Sequence, residues 1–197
     1  IINNISCNGL SDGYASFIVN GGTLPYMIDW GGVNPNSLNA GTYSVLIVDD
    51  NGCLVTESLS ITEPSIITSI NTIQNLTCNN GNDGVVDMTV SGGVSPYSYL
   101  WNNGMITEDI SNLSAGYYNV TILDSNNCML QNVAYVSEPN PIINNISMTV
   151  CEEDEFTIGG SVLIASMALN GNNTFTLTSA NGCDSTLQVL FIVHPKP

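Results

Sequence analysis

Apolar residues recur at every second position in several short runs of the chain. The alternating positions are Ala15, Phe17 and Val19, Tyr43, Val45 and Ile47, Leu59 and Ile61, Val86, Met88 and Val90, Tyr118, Val120 and Ile122, and Ala134 and Val136. A period of two is typical of a β-strand with one face on a core. Turn residues such as Asn20-Gly21-Gly22 separate the runs, and no segment shows a sustained helical period. We therefore predict an all-β protein.

The first 66 residues recur, with changes, in the segment that follows them. Residue types that are rare in this chain coincide in order across residues 1–66 and 67–141, which is the signature of a tandem repeat. The matched pairs include Cys7 and Cys78, Asp12 and Asp83, Tyr26 and Tyr97, Trp30 and Trp101, Tyr43 and Tyr118, Asp49 and Asp124, and Cys53 and Cys128. A shorter, diverged third unit occupies residues 142–197. We predict three domains with these bounds, which we call repeats 1, 2 and 3.

Several short strands per repeat, separated by turns, favour a small β-sandwich of the immunoglobulin-like kind. We expect Trp30 and Trp101 to fill the space between two sheets, and four tyrosines to complete the structural core. These tyrosines are Tyr26, Tyr97, Tyr43 and Tyr118. Glu63-Pro64 and Glu138-Pro139 end the first two repeats, and proline stops strand pairing there. Few residues lie between repeats, so we predict a semi-rigid rod.

Six cysteines suggest disulfides and an oxidising compartment, because their number is even and the chain is acidic and rich in turns. A zinc site is the alternative, but zinc sites usually contain closely spaced cysteine pairs, and this chain has none. Each repeat contains one early and one late cysteine. We therefore expect each repeat to close on itself through one internal disulfide, pairing Cys7 with Cys53, Cys78 with Cys128, and Cys151 with Cys183.

The charge of the chain limits its partners. Seventeen acidic residues face a single lysine, which gives a formal net charge of −16. Such a charge repels nucleic acid and anionic lipid, so we expect neither as a partner. No stretch is apolar and long enough to span a membrane, and we expect no membrane insertion.

Catalysis is not expected, because His194 is the only histidine and no triad can be built around it. Asp12, Asp49, Asp83 and Asp124 lie near turns, where carboxylates can bind calcium. We favour Asx turns for these aspartates, since no contiguous calcium loop is present, and we expect no cofactor with calcium as the one candidate. The tryptophans could instead form a sugar-binding platform, but their apolar strand positions favour core packing.

Repeats 1 and 2 resemble the SprB repeat of gliding Bacteroidota. The residues that carry the resemblance are Cys7-Asn8-Gly9-Leu10-Ser11-Asp12-Gly13, Gly21-Gly22-Thr23-Leu24-Pro25-Tyr26, Trp30, Ala40-Gly41-Thr42-Tyr43, Asp49-Asp50-Asn51-Gly52-Cys53 and Glu63-Pro64. Repeat 2 departs from the pattern at Asn80 and Asn127, where the family has glycine. Repeat 3 resembles another surface repeat of the same bacteria through Cys151-Glu152 and Gly182-Cys183-Asp184-Ser185-Thr186.

The resemblance implies an extracellular segment of a very long cell-surface adhesin that the type IX secretion system exports. We expect the array to act as a structural stalk for attachment and gliding motility. Alternatives are a carbohydrate-binding surface module and a segment of a multi-chain extracellular filament. The implied partners are neighbouring repeats, other copies of the chain or surface polysaccharide, and the outer-membrane gliding and secretion machinery, which other regions would contact.

Overall fold

The computed structural model describes residues 1–158, 161–164, 166, 169–178 and 183–195. These residues confirm the predicted all-β fold. Their strands are β1 (Ile2–Asn3), β2 (Tyr14–Ala15), β3 (Met27–Asp29), β4 (Gly41–Val48), β5 (Leu54–Ile61), β6 (Thr68–Gln74), β7 (Gly84–Ser91), β8 (Ser98–Trp101), β9 (Ile110–Leu113), β10 (Gly116–Leu123), β11 (Met129–Val136), β12 (Ile142–Cys151), β13 (Glu155–Ile158), β14 (Ser161–Ile164), β15 (Gly171–Thr178) and β16 (Asp184–His194). No helix in the described part of the chain has the length and hydropathy needed to cross a membrane.

The chain divides into two compact units. The first contains Ile1–Asn71, Met88–Glu108 and Asn119–Val133, and the second contains Thr72–Asp87, Asp109–Tyr118 and Ala134–Pro197. Repeat 2 thus contributes segments to both units. The bounds of the three repeats remain sequence-based predictions.

Repeat 1 is organised around the antiparallel sheet β3-β4-β5. In β4 and β5 the predicted alternation places Val45, Ile47, Leu59 and Ile61 in a buried cluster. Trp30 is half-buried and packs on the same cluster with Phe17, Val19 and Tyr43. The two strands pair along their whole length, from Gly41 opposite Ile61 to Val48 opposite Leu54. The turn that contains Cys53 therefore lies at one end of this hairpin.

Repeat 2 contributes two three-stranded sheets, ordered β11-β10-β8 and β6-β7-β9. Its apolar positions are buried as the alternation predicts, and they are Val86, Met88, Val120, Ile122, Ala134 and Val136. Trp101 is only 2% exposed, and its indole Nε1 donates a hydrogen bond to the Thr107 carbonyl at 2.9 Å. This tryptophan belongs to the core, whereas its counterpart Trp30 lies at the edge of one.

Repeat 3 is built on the sheet β12-β16-β15 and the hairpin β13-β14. β12 pairs with β16 in parallel, from Ile142 opposite Ser185 to Cys151 opposite His194. Its core contains Ile158, Val189, Phe191 and Val193, and Phe175 and Leu177 pack against it. Gly182, which belongs to the motif of this repeat, lies outside the described residues.

The predicted pairing of cysteines within each repeat is wrong. Cys7 is bonded to Cys128, with their Cα atoms 5.6 Å apart, and Cys78 is bonded to Cys183, with their Cα atoms 5.2 Å apart. Cys53 and Cys151 are free and exposed. Each bond joins the early cysteine of one repeat to the late cysteine of the next, and each lies within a single compact unit.

The physical reason is the length of one strand. In repeat 1, Cys53 immediately precedes β5, whereas Cys7 lies beside Glu63 and Pro64, which follow β5. The eight residues of β5 separate the two ends by about 27 Å, since a strand rises ~3.4 Å per residue. A disulfide requires Cα atoms within about 7 Å. The early and late cysteines of one repeat are thus at opposite ends and cannot meet.

Candidate functional site

The cysteine-bearing turns are the best candidate for a functional site, because they contain the motif cysteines together with the motif aspartates Asp12, Asp49, Asp83 and Asp124. The early turn contains Cys7 in repeat 1 and Cys78 in repeat 2. Asp12 accepts hydrogen bonds from the backbone N–H and hydroxyl of Ser6. Asp83 repeats the arrangement with Thr77, whose hydroxyl donates at 2.6 Å. These bonds, led by the one from the Ser6 or Thr77 hydroxyl, hold the pKa of each carboxyl below its ordinary value.

Each early turn is fastened to the Glu-Pro pair that ends the same repeat. The Gly9 N–H donates to Glu63 Oε2 at 2.6 Å, and Asn8 Nδ2 donates to the Pro64 carbonyl at 3.1 Å. The matching bonds of repeat 2 have the same lengths, and they join Asn80 to Glu138 and Asn79 to Pro139. Gly9 and Asn80 have φ angles of 79° and 57°. Asn tolerates this left-handed conformation better than most residues, which explains the replacement of glycine in repeat 2.

The late turn is organised by one aspartate that accepts three backbone N–H groups. Asp49 accepts from Thr23, Asn51 and Cys53 at 2.8–3.0 Å. In repeat 2, Asp124 accepts from Val94, Asn126 and Cys128 at 2.8–2.9 Å.

The same bonds set the pKa of both aspartates. For Asp49 the lowered pKa arises first from the Cys53 N–H. For Asp124, desolvation alone would raise the pKa, but the N–H groups of Val94, Cys128 and Asn126 outweigh it and the pKa is lowered. Both carboxylates are therefore charged acceptors at neutral pH.

Two glycines of the motif are required by close packing. A Cβ on Gly93 would lie 2.7 Å from Asp124 Oδ2, and φ at this glycine is 60°. A Cβ on Gly84 would lie 2.7 Å from Val136 Cγ1 and 2.9 Å from the Leu113 carbonyl oxygen. No side chain fits at either position unless neighbouring atoms move.

The four motif tyrosines are half-buried and bind backbone carbonyls through their hydroxyls. Tyr43 and Tyr118 each donate to the residue four positions earlier, at 3.0 and 2.9 Å. The other two donate to the first glycine of the Gly-Gly pair, from Tyr26 to Gly21 and from Tyr97 to Gly92. Tyr43 and Tyr118 thus anchor loops to β4 and β10, whereas Tyr26 and Tyr97 close the loops that lead into β3 and β8.

In the first compact unit, the early turn of repeat 1 meets the late turn of repeat 2. Besides the Cys7–Cys128 disulfide, Asn126 Nδ2 donates to the Ser6 carbonyl at 2.8 Å. Asp124 at this junction is only 4% exposed. In the second unit, the Cys78–Cys183 disulfide joins the early turn of repeat 2 to the start of β16. The cysteine-bearing turns of the motif thus form the junctions between successive repeats.

The structure places each of the four calcium candidates in its own hydrogen-bonded turn. Among the described residues, no group of three or more His, Cys, Asp or Glu side chains is close enough to bind a metal ion together. His194 is exposed at the end of β16. The chemistry that the junctions do contain is that of thiols and disulfides.

Comparison with known families identifies part of the array. Residues 70–106, which lie within repeat 2, match the family model of the SprB repeat. This segment is thus similar to an SprB repeat. The match covers the early turn at Cys78 and the Gly92-Gly93 and Tyr97 positions. It indicates a repeat segment with a cell-surface or extracellular location.

Other comparisons add little to the SprB match. No curated protein matches the chain. Among solved structures, the chain is similar to SGBP-B from the mixed-linkage glucan utilization locus of Bacteroides ovatus, in complex with a mixed-linkage heptasaccharide. The identity is 13%, the TM-score is 0.20, and the similarity covers 85% of this chain and 60% of that protein. A TM-score this low supports no argument about fold or ligand.

Proposed function

We propose that the chain is a non-catalytic stalk segment of a very long secreted adhesin, which gives reach and mechanical resistance for attachment and gliding motility. The SprB match supports a cell-surface repeat segment. Export by the type IX secretion system, and contact of other regions with the outer-membrane gliding machinery, belong to the same proposal and rest on the family resemblance.

The observation that carries the proposal is the overlap of the two disulfide loops. One loop closes between Cys7 and Cys128 and the other between Cys78 and Cys183, so residues 78–128 belong to both. Force applied to the chain ends passes through residues 1–7, 78–128 and 183–197 and through both disulfides. Residues 8–77 and residues 129–182 connect the same two disulfides by longer routes, so neither segment lies on the shortest covalent path. Unfolding of the sheets then releases little chain.

The magnitude of this restriction follows from the covalent path. The full chain contains 197 residues, and the disulfides shorten the path between its ends by about 126 residues, or about 430 Å of extended chain at ~3.5 Å per residue. Single-molecule pulling of the full chain in oxidising and reducing buffers measures this difference. We expect the reduced, unfolded chain to be longer by this amount, and equal lengths in the two buffers would contradict the stalk mechanism.

A second candidate function rests on an exposed aromatic pair. The rings of Tyr117 and Tyr135 lie 4.6 Å apart between centroids, and the residues are 67% and 51% exposed. The two rings are tilted by 36°, and adjacent exposed aromatic rings can form a platform for a sugar ring. Binding of polysaccharide that is lost in Tyr117→Ala and Tyr135→Ala variants, with thermal stability retained, would favour the carbohydrate-binding function over the stalk.

A further inference from the structure

The late turn of repeat 1 has the geometry of a junction, but within the described part of the chain no early turn is bonded to it. Asp49 organises this turn through the same three N–H bonds that Asp124 accepts in repeat 2. Cys128 in the late turn of repeat 2 is in a disulfide, whereas Cys53 in the late turn of repeat 1 is a free, exposed thiol. Asp124 is buried and Asp49 is half-buried. The two turns therefore differ in what covers them.

The Gly-Gly pair beside each late turn is also covered in repeat 2 and open in repeat 1. A Cβ on Gly92 would lie only 1.9 Å from the Ile66 carbonyl oxygen, and the Gly93 N–H donates to the Ser65 carbonyl at 2.8 Å. A Cβ on Gly21 would meet no atom within 4 Å, although its φ of 86° is close to the 81° of Gly92. The linker after Pro64 thus occupies this surface in repeat 2, and the same surface is open in repeat 1.

An open groove lies beside Cys53. Its lining includes Gly22, Cys53, Leu54 and Val55. The corresponding positions of repeat 2 line a groove shared with the early turn and linker of repeat 1. Those lining residues are Gly93, Cys128, Met129 and Leu130 on one side and Cys7, Leu10, Ile66 and Ile67 on the other. The groove in repeat 2 therefore shows what fits the groove in repeat 1.

We propose that this surface of repeat 1, formed by Gly21, Gly22, Asp49, Cys53 and Leu54, is the docking site for the early turn and Glu-Pro linker of a preceding SprB-like repeat. Cys53 forms a disulfide with the early cysteine of that repeat. The occupant has the pattern Ser/Thr-Cys-Asn followed by Asp, which shapes the turns at Cys7 and Cys78. The staggered pairing of cysteines then extends by one further junction.

The bond forms by oxidation of two thiols. The thiol of Cys53 and that of the incoming cysteine lose two protons and two electrons, and the electrons reduce one disulfide oxidant to two thiols. A disulfide oxidant such as oxidised glutathione supplies this step through a mixed disulfide. The inference goes beyond the proposed function, because Cys53 would be cross-linked whether the array acts as a stalk or as a binding surface.

A fusion tests the inference directly. A second copy of residues 67–141 is placed before Ile1 of the full chain, with serine at the Cys128 position of the added copy. The junction is native in sequence, because Pro141 is followed by the same Ile-Ile-Asn-Asn-Ile-Ser phrase that includes Ile1. Oxidation in a glutathione buffer, alkylation and non-reducing peptide mapping then report the partner of each cysteine.

We expect the early cysteine of the added copy to be bonded to Cys53, with Cys151 as the remaining alkylated thiol. The unfused chain should show alkylation at both Cys53 and Cys151. In the matched Cys53→Ser fusion, the added early cysteine should become a free thiol. The inference is overturned if Cys53 is alkylated in the fusion. It is also overturned if Cys53 is bonded to Cys151 of a second chain, because the occupant would then be another copy.

A second measurement applies if the added copy does not fold. The intact chain is oxidised in the presence of a synthetic peptide of residues 72–84, which contains Cys78 as its only cysteine. We expect the peptide to couple to Cys53 and leave Cys151 alkylated. Equal coupling to both exposed thiols would show that the turn surface does not select its partner, and would overturn the inference.

Discussion

Replacing Cys7 and Cys128 by serine removes the first disulfide and leaves the second intact. The covalent path between the chain ends then runs through residues 1–78 and 183–197. This path is about 21 residues longer than that of the native chain, which corresponds to about 70 Å of extended chain at ~3.5 Å per residue. Most of the chain remains bypassed, because the second loop overlaps the first.

Removing the second disulfide instead lengthens the covalent path still less. With serine at Cys78 and Cys183, the path runs through residues 1–7 and 128–197 and gains about 5 residues, or roughly 12 Å after subtraction of the lost disulfide span. Removing all four cysteines should release about 430 Å, since the bypassed segments then join the path. The two double variants together account for less than a quarter of this length, so the effects should be strongly non-additive.

Single-molecule pulling to full extension measures the contour length of each variant. Cys53→Ser is the matched control and should leave the contour length unchanged, because Cys53 takes part in neither disulfide. If each repeat closed on itself instead, the Cys7→Ser and Cys128→Ser double variant would lose two separate loops and gain about 325 Å. A gain of that size, or any gain in the Cys53→Ser control, would refute the staggered arrangement.

Three further predictions concern the turns themselves. Asp124→Ala removes the acceptor of three N–H groups and should lower the free energy of unfolding by about 1–3 kcal/mol, whereas Asp50→Ala should have little effect in the same denaturant titration. Because the folded-state pKa of Asp124 is lowered, its stabilisation is complete above the ordinary aspartate pKa and is lost as the pH falls from there through the lowered value. Acid titration of Asp124→Asn should therefore show a weaker pH dependence below about pH 4 than the parent chain. Gly84→Ala should lower the melting temperature measured by circular dichroism, since its Cβ would overlap the Leu113 carbonyl, while Asn82→Ala, which is exposed, should not. Calcium chelation should shift the melting temperature by no more than about 2 °C, and a loss of many degrees would indicate a tight site.

Much of the fold follows from the sequence because the alternation of apolar residues is regular. Most positions predicted to face the core in β4, β5, β7 and β11 are buried, but Tyr43 and Val90 are half-buried. Trp101 is a core residue as predicted, whereas the four motif tyrosines are half-buried and bind backbone carbonyls instead of filling the core. The two copies differ in length just after the tryptophan, and in repeat 2 the segment that follows supplies the Thr107 carbonyl to the Trp101 indole.

The predicted cysteine pairing is wrong, although the sequence contains a signal against it. Leu59 and Ile61 alternate in the segment between Cys53 and the Glu-Pro pair, and a strand through that segment separates the two. What the run does not reveal is that the early turn folds back onto Glu63 and Pro64 through side-chain hydrogen bonds. That contact joins residues that are far apart in sequence, and no local pattern encodes it.

Non-reducing peptide mapping of the oxidised chain shows directly whether covalent bonds join successive repeats. The free thiols are first alkylated at low pH to prevent exchange, and the digested chain is then analysed by mass spectrometry. We expect linked peptides that join Cys7 to Cys128 and Cys78 to Cys183, with alkylation at Cys53 and Cys151. Peptides that join Cys7 to Cys53, or Cys78 to Cys128, would contradict it.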